Sequence, residues 1–88
     1  MIRRFLRTQT FLKDFVKLPE NIQLKFDRQT RFLVAYGVRH PGLSAKKMRG
    51  EAAIWEARID IHYRFTFQLQ GQVIILRRIG THEIYRKP

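Results

Sequence analysis

Four side chains are best placed by type and spacing to do chemistry: Arg58, Arg64, His82 and Tyr85. Paired guanidiniums can chelate a phosphodiester through several charge-assisted hydrogen bonds. His82 follows Gly80 and Thr81 directly after the apolar run VIILRRI, and an imidazole there can exchange protons near neutral pH. Its plainer reading is a polar residue of the C-terminal segment. Tyr85, between Ile84 and Arg86, can stack on an exposed base or give its hydroxyl to a phosphate, and it can equally pin the tail to the domain.

Other candidates carry less. His40 sits beside Pro41 and reads as a solvated loop residue, and His62 reads first as a turn residue. Glu83 beside His82 is an isolated acid, no His/Asp/Glu cluster has ligand spacing, and so no metal is expected. No glycine-rich phosphate loop, serine elbow or paired-carboxylate pattern occurs, and no cofactor is implied. The absence of cysteine from all 88 residues removes disulfides, thiolate metal sites and a thiol nucleophile together, and it suits a reducing compartment. Eighteen Lys and Arg against seven Asp and Glu leave a net charge of +11. That exceeds the magnitude of about 2 to 8 that serves solubility in a small domain, and the self-repulsion calls for a polyanionic partner. No apolar run approaches the roughly 18 residues of a membrane span, and MIRRFLRTQTF lacks a signal h-region. The expected location is cytoplasmic, away from membranes.

The elements that must position these groups follow from periodicity. With 44% apolar residues, positions 1–88 are expected to form one small α+β domain around one core. Ile2 to Arg7 reads as an edge strand whose arginines discourage pairing with other chains. From Thr10, the residues Phe11, Leu12, Phe15, Val16 and Leu18 recur at helical spacing until Pro19 stops them. Proline then suits the first turn of a second helix, with Glu20 at its positive end. There Ile22, Phe26, Leu33 and Tyr36 share one side, and Gly37 offers the C-terminal cap. Two N-terminal helices thus form a helical hairpin to pack on a twisted antiparallel sheet of four to five strands.

The sheet comes from the second half. Val38 to Ser44 is a connecting loop, and Ala45 to Gly50 is a short basic strand candidate. From Trp55 to Gln70 every odd residue is apolar and every even residue polar, the pattern of a sheet with one wet face. One continuous strand would run about 50 Å in a domain whose radius of gyration is near 12 Å, so the run must fold back. A loop at Asp60 to His62 keeps odd residues facing odd, and it sets Arg58 directly opposite Arg64. Two like charges so placed destabilise a sheet by some tenths of a kcal/mol up to about 1. Either Glu56 offsets them as an ordinary salt bridge or they hold a phosphate, with Lys46, Lys47 and Arg49 adding to the same positive region. Gln70 and Gly71 supply the next turn, and Val73 to Ile79 reads as a central strand.

HPGLSAKKMRG, then IWEARIDIHYRFTFQ, then the central strand and the terminal GTHEIYR, in that order and at this length and charge, resemble the RelE/ParE toxin superfamily. Within it the chain is most similar to the RelE-like mRNA interferases of type II toxin–antitoxin systems. The likeness covers nearly the whole sequence. It implies two helices on one face of a twisted antiparallel sheet with the N-terminal strand at the edge. It further implies a metal-free endoribonuclease that acts on mRNA in the ribosomal A site, blocks translation, and is neutralised by an acidic, RelB-like antitoxin. Carried over, Arg58 matches a basic position that contacts the substrate backbone, and Arg64 matches the arginine on the scissile phosphate. His82 matches a basic or histidine catalytic group, and Tyr85 lies near the family's C-terminal catalytic aromatic. Lys46 and Lys47 match a basic strand that tracks RNA, a set extended by Arg49 and Arg77. Some relatives carry a catalytic lysine where Glu56 stands, so Glu56 either takes another role, such as a base, or leaves the site weaker.

Metal-free RNA cleavage needs a group to take the 2′-hydroxyl proton, cations for the charge developing on phosphorus, and an acid for the departing 5′-oxygen. The expected assignment puts Arg58 and Arg64 on the phosphate, His82 in proton transfer, and Tyr85 in stacking or a second proton role. It requires Arg58, Arg64 and His82 to converge on one cationic hollow. The rival from another class is a ParE-type inhibitor of DNA gyrase that works by protein contact without nuclease activity. A basic RNA-binding module without catalysis is the third reading.

Overall fold

The computed structural model describes residues 4–48 and 53–88. In chain order the elements are β1 (Arg4–Arg7), α1 (Gln9–Val16), α2 (Glu20–Tyr36), β2 (Lys46–Lys47), β3 (Ile54–Arg58), β4 (Arg64–Gln70) and β5 (Val73–Gly80). Short 3-10 turns occupy Gly37–Arg39, Pro41–Leu43 and His82–Arg86. No helix among the described residues is long and apolar enough to cross a membrane.

Thr8 makes the first corner. Its hydroxyl oxygen accepts from the Phe11 backbone N–H at 3.1 Å, capping α1, and its hydroxyl lies 3.0 Å from the Leu76 carbonyl as donor, tying the helix start to β5. Pro19 stands one residue before α2, and Gly37, at φ 75°, ends it in a conformation that a side chain would strain. The two helices turn Phe11 and Phe26 inward: their rings lie 5.5 Å apart, and Phe26 meets Phe65 of β4 edge-on at 5.0 Å. Asp14 of α1 clamps Arg78 of β5 at 2.6 Å, and this carboxylate is the main reason the guanidinium's pKa is raised.

The strand order is β1-β5-β4-β3-β2. From β2 to β5 the pairing is antiparallel, as expected, and β5 is an interior strand between β1 and β4, while β4 is the middle one. β1 lies at the edge but runs parallel to β5, so the sheet is mixed, and both helices follow β1 rather than opening the chain. The direction of β1 is set by where the helices deliver the chain to the far edge, and no hairpin signal records that. The odd residues Ala57, Ile59, Phe65 and Phe67 are buried under the helices with Ile74, Leu76 and Ile79.

Four positions differ from the periodic reading. Tyr36 is exposed, stacking on His40, while the polar Gln29 takes a buried place in α2. Its amide donates to the carbonyls of Gly42 and Arg58, which makes burial tolerable. Thr66, on the polar face, is buried because its hydroxyl donates to the Pro88 carbonyl at 2.9 Å. Leu43, in the connecting loop, is fully buried. The β4–β5 register also slips by one: Thr66 pairs with Arg78 and Phe67 with Leu76, leaving Arg77 as the extra residue of a bulge.

Candidate active site

The β3–β4 hairpin brings the two arginines together. Arg58 and Arg64 are Cα partners, and the loop between them closes with an Ile59 N–H to Tyr63 carbonyl bond of 3.0 Å. Asp60 shapes that loop, its Oδ1 accepting from the backbone N–H groups of His62 and Tyr63, each at 2.9 Å. Lys25 of α2 reaches the other carboxylate oxygen at 3.5 Å. Burial alone would raise the Asp60 pKa, but the two N–H donors and Lys25 outweigh it and hold the carboxyl below its ordinary value. Arg64 donates through Nη1 to the carbonyls of Asp60 and Tyr63, so its guanidinium is anchored by the loop.

Beyond the hairpin lies an open hollow of about 560 Å³, lined by Ile61, His62, Arg64, His82 and Tyr85 among others. The turn that brings His82 and Tyr85 there depends on Ile84. This side chain is buried against the end of β5, and a Cβ on Gly80 would stand only 3.2 Å from its Cγ2. The Thr81 carbonyl accepts from the Ile84 N–H at 3.1 Å, completing the turn. Tyr85 donates its hydroxyl to Glu56 Oε1 at 3.3 Å, and Lys46 approaches the same oxygen at 3.8 Å. Burial pushes the Tyr85 phenol pKa up and the Glu56 carboxylate adds to the rise, with Arg64 opposing both.

The expected site residues divide accordingly. Arg64, His82 and Tyr85 share the hollow, whereas Arg58 is exposed beside Arg64 on the same sheet face and outside that lining. Among the described residues no carboxylate pairs with Arg58 or Arg64, and Glu56 serves Lys46 and Tyr85 instead. Lys46 lies on the arginine side as the partner of Glu56. Lys47 does not join it, since strand alternation turns it to the opposite face, its ammonium 5.7 Å from the Trp55 ring centre. Arg77 is committed elsewhere, donating to the Pro88 carbonyl at 3.1 Å and to Gln68 Oε1 at 2.9 Å. Arg49 lies outside the described residues. His62, read from the sequence as a turn residue, shares the hollow with His82. Its place two residues before Arg64 was the available signal. Among the described residues no three His, Cys, Asp or Glu side chains gather as metal ligands.

No family model matches the sequence. No curated protein matches it either. Solved structures do match. RelE in the RelB–RelE antitoxin–toxin complex from Methanococcus jannaschii is 25% identical, with a TM-score of 0.75 over 94% of this chain and 99% of that one. YafQ from E. coli is 17% identical, with a TM-score of 0.76 over 94% and 97%. YoeB from Staphylococcus aureus is 12% identical, with a TM-score of 0.77 over 90% and 95%. Over nearly its whole length the chain therefore has the fold of these RelE, YafQ and YoeB toxins, the RelE/ParE-like fold.

Proposed function

We propose that this protein is the toxin of a type II toxin–antitoxin pair and that it cleaves mRNA, in the ribosomal A site, without a metal. The observation that carries this reading is the pair Arg58 and Arg64, uncompensated by any carboxylate among the described residues, beside a hollow shared by Arg64, His82 and Tyr85. Arg64, anchored by loop carbonyls, binds the scissile phosphate and stabilises the charge that builds on it as the 2′-oxygen attacks. Arg58 holds the neighbouring backbone, and Lys46 extends the cationic track. His82 transfers a proton, while the Tyr85 ring offers a stacking face. Glu56 acts as a positioning residue that fixes the Tyr85 hydroxyl. Cleavage leaves a 2′,3′-cyclic phosphate and a 5′-hydroxyl. The net charge of +11 favours an acidic antitoxin as partner, in line with the RelB-bound state of the structurally similar RelE.

The test is a cleavage assay on purified ribosomes programmed with mRNA. Wild type is expected to cut, and Arg64→Ala to lose the activity by at least about a hundredfold with an unchanged fold by circular dichroism. Absence of cutting by wild type, with inhibition of DNA gyrase supercoiling, would instead support the ParE-type reading.

A further inference from the structure

Resting on the nuclease reading, the hollow has a second imidazole that this reading leaves unused. His62 sits on the loop that carries Arg64, and His82 on the turn after β5, so two separate chain segments present a histidine to the same space. Arg64, the proposed phosphate ligand, lines that space with them. The loop under His62 is held from three directions, by Asp60 on its backbone N–H, by Lys25 on Asp60, and by Arg64 on the loop carbonyls. None of these bonds uses the imidazole, and His62 is exposed. A braced loop that presents an imidazole outside its own hydrogen bonds to an open hollow beside Arg64 is a poor arrangement for a spacer and a good one for proton transfer.

Cleavage by 2′-hydroxyl attack needs two proton transfers, one at each oxygen. Tyr85 is badly suited to the second, because its hydroxyl is already given to Glu56 and its pKa is raised away from neutrality. We propose that His62 is the second catalytic proton-transfer residue, paired with His82 across the phosphate held by Arg64. One imidazole, neutral, takes the 2′-hydroxyl proton as the 2′-oxygen bonds to phosphorus. The other, protonated, gives its proton to the 5′-oxygen as the P–O5′ bond breaks. Products are the 2′,3′-cyclic phosphate and the 5′-hydroxyl, and the enzyme is left with its two protonation states exchanged. The charged or titratable groups around His62 are Tyr63, Arg64, His82 and Tyr85 in the hollow, with Asp60 and Lys25 behind the loop.

The experiment is the pH profile of mRNA cleavage on programmed ribosomes for wild type, His62→Gln and His82→Gln, with His62→Ala assayed with and without added imidazole. Wild type is expected to give a bell-shaped profile. His62→Gln should lower the rate by about a hundredfold or more and abolish one limb of the bell, and His82→Gln should abolish the other. Imidazole should restore part of the His62→Ala activity. Since Asp60 bonds to the backbone of residue 62, these variants keep the loop. As a readout independent of turnover, uridine 3′-monophosphate should shift the ring signals of His62 and His82 in NMR with one common midpoint, leaving His40 unmoved. A cleaving wild type whose profile and rate are unchanged in His62→Gln overturns the His62 assignment alone. A wild type that cleaves no RNA at any pH overturns the nuclease reading and this inference with it.

Discussion

Arg58 and Arg64 face each other across the β3–β4 ladder as direct partners, and no carboxylate among the described residues lies between them. Glu56, one pair further along on the same face, is drawn off by Lys46 and Tyr85. The hairpin therefore carries a local repulsion that a bound phosphate would relieve.

Removing one charge should separate the two effects. Arg58→Thr keeps a residue suited to a strand and is expected to stabilise the free protein by some tenths up to about 1 kcal/mol, while weakening RNA binding. Thermal unfolding at low salt should show the gain as a rise of a few degrees, and added salt should shrink it. A lowered melting temperature would count against the repulsion.

Tyr85 is expected to act through its ring. Tyr85→Phe keeps the stacking face and should retain cleavage within a few-fold, whereas Tyr85→Ala should lose about 1 to 3 kcal/mol of binding. Equilibrium binding to a short single-stranded RNA measures the second effect, and the ribosome assay the first.

Asp60 should make the loop's stability depend on acid. Its folded pKa lies below the unfolded value of about 3.8, so its contribution is fully present above that value and fades as pH falls through the folded one. Wild type is expected to exceed Asp60→Ala by about 1 to 2 kcal/mol at neutral pH. Urea unfolding at a series of pH values should show that difference constant down to about pH 5 and closing below 3.8.

Gln29→Leu should be destabilising despite adding apolar surface. It strips the donor from the Gly42 and Arg58 carbonyls at the base of the site. A cost of about 1 to 3 kcal/mol is expected, and each kcal/mol lowers the melting temperature of a domain this size by roughly 4–8 °C. Differential scanning calorimetry gives the value directly.

The hairpin register was legible because strand alternation is local: once Asp60 to His62 turns the chain, residue parity forces Arg58 onto Arg64. The helix boundaries near Pro19 and Gly37 were legible for the same reason, each being set by the backbone of one residue. Gln29 and Leu43 were not, since a polar side chain and a loop position become core only when a distant segment closes over them. Lys47 was grouped with Lys46 by adjacency, though neighbours on a strand point to opposite faces.

What the amino-acid order determined by itself is the charge, the alternating strands and the pairing of the two arginines, all properties of spacing along one chain. Tertiary structure alone decided the parallel seat of β1, the bulge that ties Arg77 to Pro88 and Gln68, and the hollow that His62 and His82 both line. Each of those joins segments that share no local period, so its outcome rests on how the helices and the final turn pack against the sheet.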